Sequence, residues 1–278
     1  MCAGCLSAAA LTGCGGGASS AGTGAIVVSF YPLAFAAEQV AGRDADIVDL
    51  TRGGQEPHDL ELSPRDIARV HDARLVVYAG HGFQPAVQDA VRGRSGPSLD
   101  VLSGMRLLGT GDDVDPHFWL DPQRYAAAAR EIATALGRPA RADALVRRLT
   151  ALDAELARGL RHCARRTLVT SHAAFGYLAE RYGLRQVALV GLAPEVEPGP
   201  GTVARLVDEV RATGATTVFT EPLVSPALAR AVAREAGART AELDPLETLT
   251  PAQEASGGDY FTVMRRNLVT LREALGCT

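Results

Sequence analysis

Short runs of β-branched residues alternate with amphipathic, alanine-rich segments along most of the chain. In the first half, strands are predicted at residues 26–28, 46–50 and 75–78, with a helix at 33–40. In the second half, strands are predicted at residues 167–170, 186–189, 217–219 and 239–243, before a closing helix at 261–275. Strands that alternate with helices in this way are typical of parallel sheets with helices on their faces.

Capping residues predict where two helices begin, and a third segment differs from its surroundings in composition. Ser63 precedes Pro64, and Asp121 precedes Pro122, so each pair combines a side-chain cap with a proline suited to a first helical turn. Residues 139–161 are polar and rich in Arg, and they carry five leucines at helical spacing. This pattern predicts one long helix with a single apolar stripe.

The layout is therefore an α/β fold of two lobes, each with a parallel sheet flanked by helices, joined by one long helix. The chain has 278 residues, which is long for a single domain. We expect a signal and flexible tether at 1–24, an N-terminal lobe at 25–137, a linking helix at 138–163 and a C-terminal lobe at 164–278.

The first residues have the composition of an export signal. Residues 1–12 are small and mostly apolar. They lead into a Leu-Thr-Gly-Cys sequence at 11–14 that resembles a bacterial lipobox, in which Cys14 would carry the lipid. A Gly/Ser-rich stretch follows, too poor in apolar residues to fold. The positively charged start of a usual signal is missing, so an Ala/Gly-rich tail with a chance cysteine is the alternative.

The charge of the chain bears on its possible partners. The net charge is −4 and no basic stripe occurs, so nucleic acid is not expected as a partner. All 28 basic residues are Arg, and Asn occurs once, at Asn267.

Cys163 and Cys277 lie in the folded part and predict a disulfide in an exported protein. Two separate buried thiols are the alternative.

Four residues that can bind a metal lie where strands are predicted to end or helices to begin. They are His58, His117, His172 and Asp244, two from each half of the chain. Ligands in such folds bind beyond the carboxyl ends of the strands, in the cleft between the lobes. Three imidazoles and one carboxylate form a tetrahedral Zn²⁺ set. Each residue alone could be an ordinary loop residue, so the prediction depends on the four together.

Five motifs in order give the chain a specific resemblance to a known family. They are Glu-Pro-His-Asp with Ser-Pro-Arg-Asp at 56–66, Asp-Pro-His-Phe-Trp-Leu-Asp-Pro at 115–122, Ser-His-Ala-Ala-Phe-Gly-Tyr-Leu at 171–178, Pro-Glu-Val-Glu-Pro at 194–198 and Leu-Asp-Pro-Leu at 243–246. The chain resembles the metal-specific substrate-binding proteins of bacterial zinc and manganese ABC importers, the ZnuA/TroA-like group.

The resemblance implies two lobes bridged by a rigid long helix, with His58, His117, His172 and Asp244 as ligands. Manganese members tend to carry Glu where His172 stands, so zinc is favoured. It also implies an exported, lipid-anchored, monomeric protein that captures Zn²⁺ outside the cell and hands it to an ABC permease. The long His-rich loop of many zinc members is reduced here to residues 109–115.

Several alternatives stay open at this point. The fourth ligand could be Glu221 or a water instead of Asp244. The cargo could be manganese or iron. A zinc hydrolase is less expected, because no HExxH motif occurs and four protein ligands leave no position for a reacting water. A surface adhesin on the same fold would not require tight metal binding.

Overall fold

Two parallel four-stranded sheets form the framework of the molecule. The computed structural model describes residues 24–42, 44–51, 53–193 and 200–278. The first sheet has the order β2-β1-β3-β4 and the second the order β6-β5-β7-β8, so both repeat one topology. The strands are β1 (Ile26–Val28), β2 (Ile47–Asp49), β3 (Leu75–Tyr78), β4 (Ser98–Asp100), β5 (Thr167–Thr170), β6 (Arg185–Ala188), β7 (Thr217–Thr220) and β8 (Arg239–Glu242). The predicted α/β fold with two parallel sheets is confirmed.

Ten α-helices cover these sheets in the part of the chain that the structure describes. They are α1 (Tyr31–Ala41), α2 (Pro64–Asp72), α3 (Pro85–Arg92), α4 (Pro122–Ala135), α5 (Ala142–Gly159), α6 (Gly176–Tyr182), α7 (Pro200–Thr213), α8 (Ala227–Ala236), α9 (Pro251–Ala255) and α10 (Tyr260–Leu275). Among the described residues, no helix is long and apolar enough to cross a bilayer.

Both predicted helix starts carry the expected caps. The Ser63 hydroxyl accepts a hydrogen bond from the backbone N–H of Asp66 at 3.2 Å, and the Asp66 carboxylate accepts one from the N–H of Ser63 at 3.3 Å, which forms a capping box. The Asp121 carboxylate accepts the N–H of Gln123 at 2.8 Å. These caps fix where α2 and α4 begin, and α4 begins five residues after His117.

The long central helix is shorter than predicted. Residues Pro139–Arg141 form a separate 3₁₀ turn, and α5 runs only from Ala142 to Gly159. The predicted leucine stripe is buried, and it packs into a hydrophobic core that also contains residues of both sheets and of α1, α4 and α10. Because this core is continuous from one sheet to the other, the two halves of the molecule are joined by packing as well as by α5.

The chain end is fixed to the middle of the molecule by the predicted disulfide. Cys163, just after α5, is bonded to Cys277, just after α10. The backbone N–H of Arg165 also donates to the carbonyl of Leu275 at 3.0 Å. This connection holds α10 against α5, and α10 in turn contacts the loop that follows β8.

Candidate metal centre

Three imidazoles and one carboxylate converge at the carboxyl ends of the two sheets. The Nε2 atoms of His58, His117 and His172 lie 3.4, 3.0 and 3.2 Å from a single oxygen, Oε1 of Glu247. One ligand atom from each of the four residues lies within 4.8 Å of all the others. Both His117 and His172 are completely buried, and Glu247 is 3% exposed. The four atoms therefore surround one small volume that a metal ion can occupy.

Each of the four residues comes from a different connection. His58 lies in the loop between β2 and α2, and His117 directly precedes the 3₁₀ turn Phe118–Leu120. His172 follows β5 by two residues, and Glu247 follows β8 by five. Each half of the chain supplies two of these four candidate ligands.

The carboxylate among the imidazoles is that of Glu247, and the structure places Asp244 elsewhere. Asp244 was predicted as the fourth ligand, but its carboxylate accepts hydrogen bonds from Gln253 at 2.7 Å, from Arg266 at 3.0 Å and from the N–H of Leu246 at 2.8 Å. One oxygen, Oδ2, is therefore bound by α9 and α10, and the other, Oδ1, by the turn itself. The Leu-Asp-Pro-Leu motif ends at residue 246, and Glu247 is the next residue in the chain.

Glu221, the other alternative for the fourth position, contacts the centre through His172. One oxygen of Glu221 lies 2.6 Å from Nδ1 of His172, and the other accepts the backbone N–H of the same residue at 3.1 Å. Asp115 holds His117 in the same manner, at 2.8 Å from Nδ1 and 2.9 Å from the backbone nitrogen. A carboxylate on Nδ1 fixes the tautomer that leaves Nε2 unprotonated, which is the form that binds a metal.

The acidic partners raise the pKa values of two imidazoles. Burial alone would lower the pKa of His172, but hydrogen bonds and charges from Glu221 and Glu247 outweigh it and raise that pKa well above its ordinary value. For His117, burial is likewise outweighed by Asp115 and Glu247, and its pKa is raised. Without metal, the centre therefore attracts protons as well as cations.

The pKa of the Glu247 carboxylate shifts in the opposite direction. Burial would raise the pKa of Glu247, but its hydrogen bonds to the three imidazoles lower it well below the ordinary value. Nearby, burial and then the charge of Glu247 raise the pKa of Glu56 to about 9. The two pKa values thus shift in opposite directions, and the negative charge of this pair is favoured on Glu247.

The His58 loop is supported by uncharged contacts. The His58 ring meets the edge of Phe83 with ring centroids 4.8 Å apart. The Gln84 side-chain amide donates to the carbonyl of Pro57 and to that of Ser29, both at 3.2 Å. Because Ser29 directly follows β1, this amide ties the His58 loop to the edge of the first sheet.

A small cleft with several acidic side chains in its walls lies beside Glu247 and is partly open to solvent. Its walls combine carboxylates with a short apolar loop: Glu56, Glu221, Pro222, Leu223, Val224, Asp244, Pro245, Glu247 and Thr248. A cleft lined by one sign of charge attracts ions of the opposite sign.

The sequence profile of a known family spans almost all of the described chain. The profile of "Zinc-uptake complex component A periplasmic" (ZnuA) matches residues 26–274. The chain belongs to the ZnuA family. The predicted resemblance is thereby confirmed.

Other ZnuA-type proteins cover most of this chain. The zinc-binding protein AdcA of Streptococcus pyogenes serotype M1 is 32% identical over 283 residues, which is 89% of this chain but 55% of AdcA. The high-affinity zinc uptake system protein ZnuA of Bacillus subtilis is 27% identical, covering 90% of this chain and 87% of that protein. This ZnuA-family chain thus spans about half the length of the AdcA relatives that it matches.

Solved structures of ZnuA-like proteins share the fold. The Zn(II)-bound ZnuA-like domain of Streptococcus pneumoniae AdcA is 34% identical with a TM-score of 0.77, covering 91% of this chain and 99% of that domain. The laminin-binding protein Lmb of Streptococcus agalactiae, described as a bifunctional protein with adhesin and metal-transporting activity, is 30% identical with a TM-score of 0.81. The matched region covers 90% of this chain and 99% of the Lmb chain.

Two sequence predictions fall outside the described residues of this ZnuA-family chain. They are the lipobox with Cys14 and the Pro-Glu-Val-Glu-Pro motif at 194–198. The domain boundaries also stay predictions, although the two sheets lie on either side of the predicted linking helix.

Proposed function

We propose that this protein captures Zn²⁺ outside the cytoplasm and delivers it to an ABC-type metal importer. The observation that carries the proposal is the convergence of three imidazole nitrogens and one carboxylate oxygen in a buried centre. The family and the zinc-binding names of the relatives support the same cargo.

The ligand types favour zinc over manganese. Imidazole nitrogen suits Zn²⁺, whereas Mn²⁺ prefers a larger share of oxygen ligands. We propose His58, His117, His172 and Glu247 as a closed tetrahedral set, with Asp115 and Glu221 orienting two of the rings. Four protein ligands leave no coordination position for a reacting water, which supports a binding role over hydrolysis.

Location and delivery are part of the same proposal. A lipid on Cys14 would hold the protein at the outer face of the membrane as a monomer, close to its permease. A Streptococcus pneumoniae relative, 33% identical, carries the name zinc-binding lipoprotein AdcA. The disulfide between Cys163 and Cys277 suits an oxidising compartment. Because the core is continuous between the sheets, we expect zinc release to require loop movement at the permease.

Competitive titration tests the proposal. Metal-free protein lacking residues 1–14 would be titrated with Zn²⁺ and with Mn²⁺ against a chelator, beside His172→Ala and a control, His162→Ala, which changes a histidine outside the centre. We expect one tight Zn²⁺ per chain, much weaker Mn²⁺, a large loss for His172→Ala and none for the control. Tighter Mn²⁺ would assign the protein to manganese transport, and no tight binding of either metal would refute the site.

A further inference from the structure

The loop that carries Glu247 is held from behind by two helices. The Asp244 carboxylate accepts hydrogen bonds from Gln253 of α9 at 2.7 Å and from Arg266 of α10 at 3.0 Å. The same carboxylate accepts the N–H of Leu246 at 2.8 Å, so it also closes the turn that leads to Glu247. Asp244 is 3% exposed, and its contacts connect the loop to both helices.

The single asparagine of the chain binds the same turn. The Asn267 amide oxygen accepts the backbone N–H of Asp244 at 3.0 Å, and its NH₂ group donates to the carbonyl of Asp244 at 2.7 Å. Asn267 is 1% exposed on α10. Its side chain thus pairs with the Asp244 backbone as a neighbouring strand would, at a point where β8 has already ended.

The backbone of the turn needs this support. Leu246 has φ of 59°, in the left-handed region that side-chain-bearing residues seldom adopt, and it is completely buried. Such a conformation is strained and persists where the surroundings determine it. On the opposite side, the Trp119 indole N–H donates to the carbonyl of Pro245 at 2.8 Å. Leu246 thus directly precedes the ligand and lies in a turn bound from both sides.

We propose that Asp244 and Asn267 are positioning residues that determine zinc affinity by aiming Glu247 at the three imidazoles. The inference rests on the proposed zinc-binding function. Neither side chain needs to contact the metal: Asn267 fixes the backbone at the start of the turn, and Asp244 fixes its end at Leu246. A displaced turn would move Glu247 Oε1 away from the histidines.

A double-mutant cycle with Glu247→Gln separates positioning from direct ligation. Asp244→Asn puts an NH₂ group opposite either the Gln253 amide or the Leu246 N–H, where two donors would face each other. Asn267→Leu keeps a similar volume and removes both bonds to the Asp244 backbone. Each variant is measured alone and in the Glu247→Gln background, by Zn²⁺ titration against a chelator.

We expect each variant alone to weaken Zn²⁺ binding by about 10–100-fold, the range found for groups that orient metal ligands. In the Glu247→Gln background the same changes should alter the affinity by less than about 2-fold, because the ligand they position is already lost. Equal losses in both backgrounds would overturn the inference and would indicate that Asp244 acts at the metal itself or through general stability.

Two further measurements keep the result interpretable. Leu271→Ala, on α10 and completely buried, serves as a control that destabilises the helix without touching the turn, and it should leave Zn²⁺ affinity unchanged. The visible spectrum of bound Co²⁺ should lose its tetrahedral character in Asp244→Asn but keep it in Leu271→Ala. If the unmodified protein binds no Zn²⁺, the proposed function fails, whereas tight wild-type binding with an additive cycle refutes only the positioning role.

Discussion

Replacing Glu221 by Gln should weaken zinc binding at high pH and also flatten its pH dependence. The two oxygens of Glu221 serve the ring Nδ1 and the backbone N–H of His172, at 2.6 and 3.1 Å. A glutamine has one acceptor oxygen, so one of these two donors would face an NH₂ group. At high pH, where His172 is neutral in both proteins, we expect about 10–100-fold weaker Zn²⁺ binding.

The same substitution changes how protons compete with the metal. Burial lowers the pKa of His172, and Glu221 and Glu247 together raise it more, so Glu221→Gln should bring that pKa down. Each ring that must lose a proton before binding weakens the apparent affinity by about 10-fold per pH unit below its pKa. With His117 and His172 both raised, the wild-type protein should lose up to about 100-fold per unit. In Glu221→Gln, His172 should be neutral between its pKa in the variant and its higher pKa in the wild-type protein. In that pH range it should not contribute to the loss of apparent Zn²⁺ affinity.

Chelator-competition titrations from pH 5 to pH 8, at constant ionic strength, test this reasoning. The two affinity curves should be well separated at pH 8 and should approach each other as the pH falls, because the wild-type protein loses more. A control, Glu209→Gln, changes an exposed carboxylate outside the centre and should follow the wild-type curve. Parallel curves for wild type and Glu221→Gln, or a wild-type affinity that does not depend on pH, would refute the argument.

Three further predictions concern the framework of the site. Replacing Cys163 and Cys277 by Ser should lower the free energy of unfolding by roughly 5 kcal/mol, as expected for a closed loop of this length, and reductant should affect only the wild-type protein in denaturant titrations. Trp119→Phe should cost about 1–3 kcal/mol in unfolding followed by circular dichroism, because it leaves the buried carbonyl of Pro245 without its donor; an unchanged midpoint would contradict this. Asp153→Asn should cost about 1–3 kcal/mol near pH 7. Burial raises the pKa of Asp153, but its hydrogen bonds outweigh burial and lower it. The difference in stability between the wild-type protein and Asp153→Asn should therefore be present above about pH 4 and vanish as the pH falls through the lowered pKa.

Local sequence patterns predicted much of the framework because its strands and caps are determined locally. The run at 167–170 is β-branched and buried, and β5 has those bounds. The Ser63 and Asp121 caps depend on contacts within three residues, so they too could be predicted. The strand Ser98–Asp100 was not predicted, because it has three residues and no buried apolar face. It exists through pairing with β3, a contact about 20 residues away.

The same distinction between local and distant contacts explains the candidate site. His172 lies two residues beyond a buried strand, so the rule that ligands collect at strand ends was enough to find it. Applied to β8, that rule selects Asp244, the second residue past the strand, although Glu247 lies among the imidazoles. Glu247 reaches the imidazoles through a turn in which Leu246 is left-handed and Asn267 binds the backbone of Asp244. Neither feature can be predicted from the local spacing of apolar residues. The chain contains one asparagine, and it is buried against the turn before the candidate ligand Glu247. Its composition therefore carries a signal that strand and helix patterns do not contain.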